Sequence, residues 1–296
     1  MTKSQTISYA QNREDIILSG FFSKNLKGFY VDVGAANPVI DSVTKYFYDR
    51  GWRGINIEPI GHIHKALKAQ RPRDINLNIG ISNTKDTIKF REYAADGFST
   101  FAQGVQKDYE KDPNQFTEKY MDYKVDVLPL REVFKQQKVT TINFMKVDVE
   151  GFEYEVLEGN DWSKYRPQVI CIEANHVKRD WKKTLKDNGY RIDFFDGLNE
   201  YYVDSRDTTI PTFSYIDTVI NRQPILPYTV ANDIEALEAK NHALQAENKH
   251  KREHIAMVEA MLTEVQTRLA EVTPLGRHIK RQVKYWTNKS IKKSSK

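Results

Sequence analysis

The stretch FYVDVGAANPVIDSV, Phe29 to Val43, decides the fold. A short run rich in β-branched and aromatic residues ends on Asp32, Gly34 and Asn37, then gives way to a helical pattern, as at the first turn of a strand–turn–helix unit. Outward from it the same alternation repeats. Strands are expected at 29–34, 54–59, 75–82, 142–149 and 168–174, with helices near 41–50, 61–70, 129–137, 152–158 and 178–188. Two further runs, TIKFREY (87–93) and YKVDVL (123–128), flank a polar, aromatic-rich stretch, and YRIDFFDGLNEYYVD reads as an antiparallel hairpin turning at Asp196-Gly197 or just after. The fold class is therefore α/β: a Rossmann-like, doubly wound, mostly parallel sheet with a late antiparallel hairpin, followed by a C-terminal coiled-coil helix.

The chain has 296 residues and a formal net charge of +5. Residues 273–296 hold eight Lys or Arg and no acid, so the remainder carries a net −3. The basic character thus belongs to the tail, which argues against a nucleic-acid-binding body and against RNA as the substrate. The start, MTKSQTISYAQNREDI, has no apolar run of signal-peptide length, and no stretch reaches 18 apolar residues. A cytoplasmic protein is expected, its only membrane contact peripheral. Cys171, the single cysteine, sits in the apolar run VICIEA and is read as a buried, inert thiol.

Ligands of open α/β sheets bind beyond the carboxyl ends of the strands, so the residues ending each strand carry the functional information. Here they are polar: Asp32 with Gly34, Ala35, Ala36 and Asn37; Glu58-Pro59; Asp148 with Glu150-Gly151; and Glu173 with Asn175-His176. A dinucleotide site requires G-x-G-x-x-G to cradle a pyrophosphate. The first turn has one glycine followed by alanines. S-adenosylmethionine carries no phosphate, but its ribose diol, ammonium and sulfonium call for acceptors and negative charge, which Asp32, Glu58 and Asp148 supply. Any one such acid could be only a helix cap or solvated turn residue; four strand ends in order are the stronger signal.

At this point the chain resembles the FkbM-type methyltransferases, which methylate oxygen, often a hydroxyl of a sugar or other natural product. The resemblance runs over residues 8–225: Ser8-Tyr-Ala-Gln-Asn12 with Glu14-Asp15, FYVDVGAANPVIDSVTKYFYDRGWRGINIEP, FMKVDVEGFEYEVLEGND and FFDGLNEYYVD. Its most recognisable block is Lys146-Val-Asp148-Val-Glu150-Gly151-Phe-Glu153. The resemblance implies that the cofactor's carboxypropyl end lies near Asp32, Gly34, Ala35 and Asn37, its ribose on Glu58 beside Pro59, and its adenine near Ile79 to Ser82, with Gly80 and Ile81 in contact. The asparagine of the first loop stands one place later than the family's D-x-G-A-N, as Ala36-Asn37. It also implies a saccharide acceptor in surface polysaccharide or glycolipid assembly.

Methyl transfer to a hydroxyl requires the acceptor oxygen to be positioned in line and its proton removed. Asp148, Glu150, Glu173 and His176 are the candidate bases. The alternative to a protein base is a magnesium ion, whose ligands would be Asp148, Glu173 and Asn175. Lys146, two residues before Asp148, shares its face and is read as a partner for a carboxylate. His62 and His64 are two apart on a helix, share no face and are read as solvated surface. Phe98, Phe101, Tyr109, Phe116, Tyr120 and Tyr123 either pack the 94–123 stretch onto the body or form a lid over a sugar ring, with packing favoured. Ser99-Thr100 resembles a family motif but identifies no chemistry.

Three segments follow: a methyltransferase domain (1–228), a coiled coil (229–273) and a basic amphipathic tail (274–296). From Ile234 six heptads place Ile234, Asn241, Asn248, Ile255, Leu262 and Leu269 on one seam position and Leu237, Leu244, Lys251, Val258, Val265 and Val272 on the other. A parallel homodimer is expected; the alternative is one long helix folded back on the body. After Pro274 and Gly276, Leu275, Ile279, Val283 and Trp286 form a stripe opposite a basic face, suited to an anionic membrane surface, to an acidic protein partner or to a frayed end. The rival functions are methylation of a soluble secondary metabolite and a non-catalytic coiled-coil scaffold.

Overall fold

The computed structural model describes residues 6–22, 27–95, 97–175, 180–213 and 225–272. In chain order the elements are β1 (Thr6–Ser8), α1 (Glu14–Phe21), β2 (Phe29–Val33), α2 (Lys45–Asp49), β3 (Arg53–Ile57), α3 (Gly61–Gln70), β4 (Ile75–Leu77), β5 (Gly80–Ile81), β6 (Asp86–Tyr93) and α4 (Gln103–Lys111). They continue with β7 (Tyr120–Leu128), α5 (Leu130–Gln136), β8 (Ile142–Val147), α6 (Glu153–Glu158), β9 (Pro167–Glu173), α7 (Lys182–Asp187), β10 (Tyr190–Phe195), β11 (Asn199–Asp204), β12 (Ile225–Pro227) and α8 (Tyr228–Val272).

Seven strands form the main sheet in the order β10-β11-β9-β8-β2-β3-β4. The five from β9 to β4 run parallel, while β11 is antiparallel to both β9 and β10. The chain steps outward from β2 through β3 to β4, then returns to β8 on the other side of β2. That reversal makes the β2–β8 boundary the topological switch point, where an open sheet leaves a crevice at its carboxyl edge.

Alternation along the parallel strands sorts the sheet into two faces. Val31, Val33, Ile55, Ile57, Met145, Val147, Ile170 and Ile172 face one side and form the larger core with α5, α6 and α7. The opposite side begins with Tyr30, Phe144, Val169 and Tyr201, packed under Ile17, Leu18 and Phe21 of α1, and becomes polar towards the strand ends. The sequence pattern did not register α1, because eight residues give two turns and its first two, Glu14 and Asp15, are buried acids.

The run 75–82 is two strands in two sheets rather than one. Asn78 turns its amide back onto the carbonyls of Glu58 and Pro59, and the chain then leaves β4 for a three-stranded sheet of order β5-β7-β6. A division by contacts gives two units, Met1–Ala231 and Asn232–Lys296. No helix among the described residues is long and apolar enough to cross a membrane. The basic stripe of residues 274–296 lies outside the described residues, as does His176.

Candidate active site

At the carboxyl end of β2 the backbone turns through Gly34 at φ +80°, and a Cβ there would fall 1.9 Å from the Asp148 carbonyl oxygen. Only glycine lets the loops after β2 and β8 approach so closely. The loops are joined by backbone bonds: Asp148 N–H donates to Val33 O, and Gly34 and Ala35 N–H both donate to Ile57 O. Ala36 follows at φ 48°. Its N–H donates to Glu58 Oε2 at 2.9 Å, while Ile60 N–H donates to Glu58 Oε1 at 2.7 Å. Glu58 thus ties the turn after β2 to the turn after β3. Burial pushes its carboxyl up to about 7, against the lowering effect of those two N–H groups. Asn37 is exposed and caps the next turn through Oδ1, accepting from Val39 and Ile40 N–H.

Asp32 lies one step deeper. It is 1% exposed, its Oδ2 accepts from Thr44 Oγ1 at 2.9 Å, and its Oδ1 is buried without a hydrogen-bond partner. Burial raises its pKa, opposed by the charge of Lys146, its register partner on β8. Asp32 therefore sits behind the turn and orders it. The same network continues outward: Arg71, fully buried, donates to Asp74, Tyr30 and Thr44 and to the Pro38 carbonyl. Sequence reasoning missed Arg71 and Asp74, which lie at the end of a helix where charged residues are ordinarily solvated.

Lys146 donates to Asp148 Oδ2 at 2.7 Å with only 8% of its side chain exposed. Burial disfavours its charge, but Asp148, Asp32 and Glu14 outweigh this and hold its pKa above the usual lysine value. Beyond Asp148, ligand atoms of Asp148, Glu150 and Glu173 all come within 4.8 Å of one another. Burial, then the charges of Asp148 and Glu150, push Glu173 up to about 10. Burial and the neighbouring negative charges thus favour the protonated form of Glu173. Asn175, expected as a third metal ligand, donates its amide to Glu173 Oε1 at 3.0 Å.

Glu150 stands at φ 53°, and its carbonyl accepts from Thr100 Oγ1 at 2.7 Å. Thr100 is fully buried and pins the acid-bearing loop to the 94–123 stretch, while Ser99 Oγ accepts from Tyr93 N–H. This stretch is ordered by packing: Phe101 lies on Phe90, Phe98 stacks on Phe116 and Tyr93 meets Tyr109. Tyr109, on α4, is held up to about 12 by burial and by Glu150, Tyr93 and Glu173, so its hydroxyl lies within electrostatic reach of the acids.

Two expectations change. Gly80 and Ile81 are buried, Gly80 because a Cβ would strike the Phe101 ring at 2.5 Å and Ile81 because it belongs to the larger core; the outward residues of this segment are Asn78 and Ile79. His62 is exposed, but His64 is half-buried with Nε2 3.1 Å from the Asn76 carbonyl. It anchors α3 to β4.

The Methyltransferase FkbM domain model matches residues 32–192, more than half of the chain and all of the strand ends described above. The chain belongs to the FkbM methyltransferase family. Among solved structures, this FkbM protein is similar to the fibrillarin pre-rRNA processing protein of Methanococcus jannaschii, at 14% identity and a TM-score of 0.32, over 64% of this chain and 75% of that one. It is also similar to the precorrin-6y C5,15-methyltransferase of Geobacter metallireducens GS-15, at 12% identity and a TM-score of 0.34, over 68% and 94%. No curated protein matches it.

Proposed function

We propose that this FkbM methyltransferase is an S-adenosylmethionine-dependent O-methyltransferase of a saccharide hydroxyl, working in surface polysaccharide or glycolipid assembly. The observation that carries this reading is the acid cluster of Asp148, Glu150 and Glu173 beside the Gly34–Asp148 close approach. The donor site fits the cofactor's chemistry. Gly34 lets the turns after β2 and β8 close together at the switch point, Glu58 offers carboxylate oxygens to a ribose diol, and Asn78 and Ile79 offer an edge for the adenine. Asp32, Thr44 and Arg71 hold that turn in shape from behind. S-adenosylmethionine, once bound, supplies an electrophilic methyl on a sulfonium.

The remaining work falls to the chain. The cluster takes the acceptor's proton as the oxygen attacks: the O–CH3 bond forms, the S–CH3 bond breaks, and the proton passes to a carboxylate of the set. Because the three acids share one site, the base is assigned to the cluster, with Lys146 donating to Asp148. Tyr109 supplies an aromatic wall for a sugar ring. A second reading uses the same three carboxylates as oxygen ligands for a hard divalent cation, which would lower the acceptor's pKa; Asp148, Glu150 and Glu173 would hold it.

Methyl transfer from labelled S-adenosylmethionine is screened against glycans and against free small-molecule hydroxyls, with magnesium or with chelator. Glu150→Gln is expected to lower kcat by roughly 10²–10⁴-fold with cofactor affinity unchanged. Activity on small metabolites alone would shift the acceptor assignment. Loss of activity in chelator, restored by magnesium, would select the metal reading. Failure to bind the cofactor would return the chain to the scaffold reading.

A further inference from the structure

Helix α8, Tyr228–Val272, presents its heptad seam to solvent: Ile234, Leu237, Leu244, Ile255, Leu262 and Val265 are each 41% to 65% exposed. A helix of 45 residues spans about 68 Å at about 1.5 Å per residue, and an apolar stripe of that length signals a partner. We propose that the partner is a second copy of this chain, paired with α8 as a parallel, in-register, two-stranded coiled coil.

The polar seam residues choose the partner and its direction. Asn241 and Asn248 occupy successive first-seam positions. In a parallel, in-register pair each asparagine meets its own symmetry mate and the two side-chain amides hydrogen-bond. In an antiparallel pair the first seam position packs against the second, which here holds leucine, valine and the single Lys251, so at least one asparagine of each chain would abut an apolar side chain without a partner. Register is fixed for the same reason, because a shift by one heptad would leave one asparagine of each chain against isoleucine.

The flanking charges agree. In a parallel pair the position before the seam faces the partner's position five residues later. Glu247 then faces the partner subunit's Arg252, and His254 faces the partner subunit's Glu259, against a single like-charged pairing of Asp233 with the partner subunit's Glu238. Lys251, the one charged seam residue, has its ammonium drawn off by Glu247 at 2.6 Å, which leaves its aliphatic stem to cover the seam.

Cysteine cross-linking of the full chain tests both pairing and direction. Native Cys171 is fully buried and stays silent. Asn241→Cys and Asn248→Cys each bring two sulfurs across the seam, within the roughly 4.4–6.8 Å Cα separation a disulfide requires. Both are expected to oxidise to reducible covalent dimers, while Ala246→Cys, on the outer face, is not. Sedimentation of the unmodified protein is expected to give the mass of two chains. A monomer at micromolar concentration would overturn the proposal. A dimer in which neither asparagine position cross-links would overturn the parallel register. Equal cross-linking of Ala246→Cys would mean random collision and overturn it as well.

Discussion

The two faces of the main sheet are built from the same strands, yet one is a core and the other a site. On one face Val31, Val33, Ile55, Ile57, Met145 and Val147 are no more than 1% exposed and purely apolar. One residue away on each strand, Tyr30, Asp32, Asn56 and Lys146 are also buried but joined by charges and hydrogen bonds. The apolar face is held by area removed from water, which is non-directional and tolerant of repacking. The polar face depends on each partner being present, since a buried charge is costly once its counter-charge is removed. It follows that small changes on the first face should register as stability alone, while changes on the second should register as stability, pH dependence and cofactor binding together.

The sharpest break is Lys146→Met. It removes the cation between Asp32 and Asp148 while keeping the volume, and is expected to cost about 3–5 kcal/mol at pH 8 and less at pH 5.5, where the acids take up protons. Urea unfolding at the two pH values measures this; an equal loss at both would mean that packing, not charge, holds the polar face.

A smaller effect per group is expected from pH alone. Burial raises Glu58 and Glu153 to about 7 from an ordinary 4.5, and Glu173 to about 10. The folded chain therefore binds more protons than the unfolded chain above pH 4.5, so stability falls as pH rises from there through 7. Acids held low, such as Asp122 at about 2, act in the opposite sense only at lower pH. The ligand-free protein should lose on the order of 2 kcal/mol between pH 5 and pH 8 for each acid raised to about 7, read as a falling Tm; a rising Tm over this interval would remove the argument for buried, protonated acids. The smallest effect belongs to the apolar face: Ile55→Val should cost about 1 kcal/mol with that pH slope and the cofactor affinity unchanged.

The apolar face was legible from sequence because period-two alternation is a local signal. FYVDV and FMKV announce strands and their buried positions whatever surrounds them. The strand-end acids were legible for a related reason: Asp32, Glu58, Asp148 and Glu173 stand where the pattern stops. What was not legible depended on distant approach. Arg71 looks like a surface residue until the fold sets it against Tyr30, Thr44 and Asp74. Glu150 joins Asp148 and Glu173 with its backbone gripped by Thr100 from 50 residues away. The break within 75–82 was hidden because Asn78 interrupts the strand through a bond to the Glu58 and Pro59 carbonyls, a contact that residue type alone does not encode.

The central claim is that the polar strand ends bind S-adenosylmethionine with Glu58 at their centre, and a calorimetric titration of the wild type beside Glu58→Ala tests it most directly. Saturable one-to-one binding is expected for the wild type, weakened by at least about 30-fold, or roughly 2 kcal/mol, in Glu58→Ala, with thermal unfolding confirming that the variant remains folded. Wild-type affinity persisting in folded Glu58→Ala, or no binding by the wild type, would contradict it.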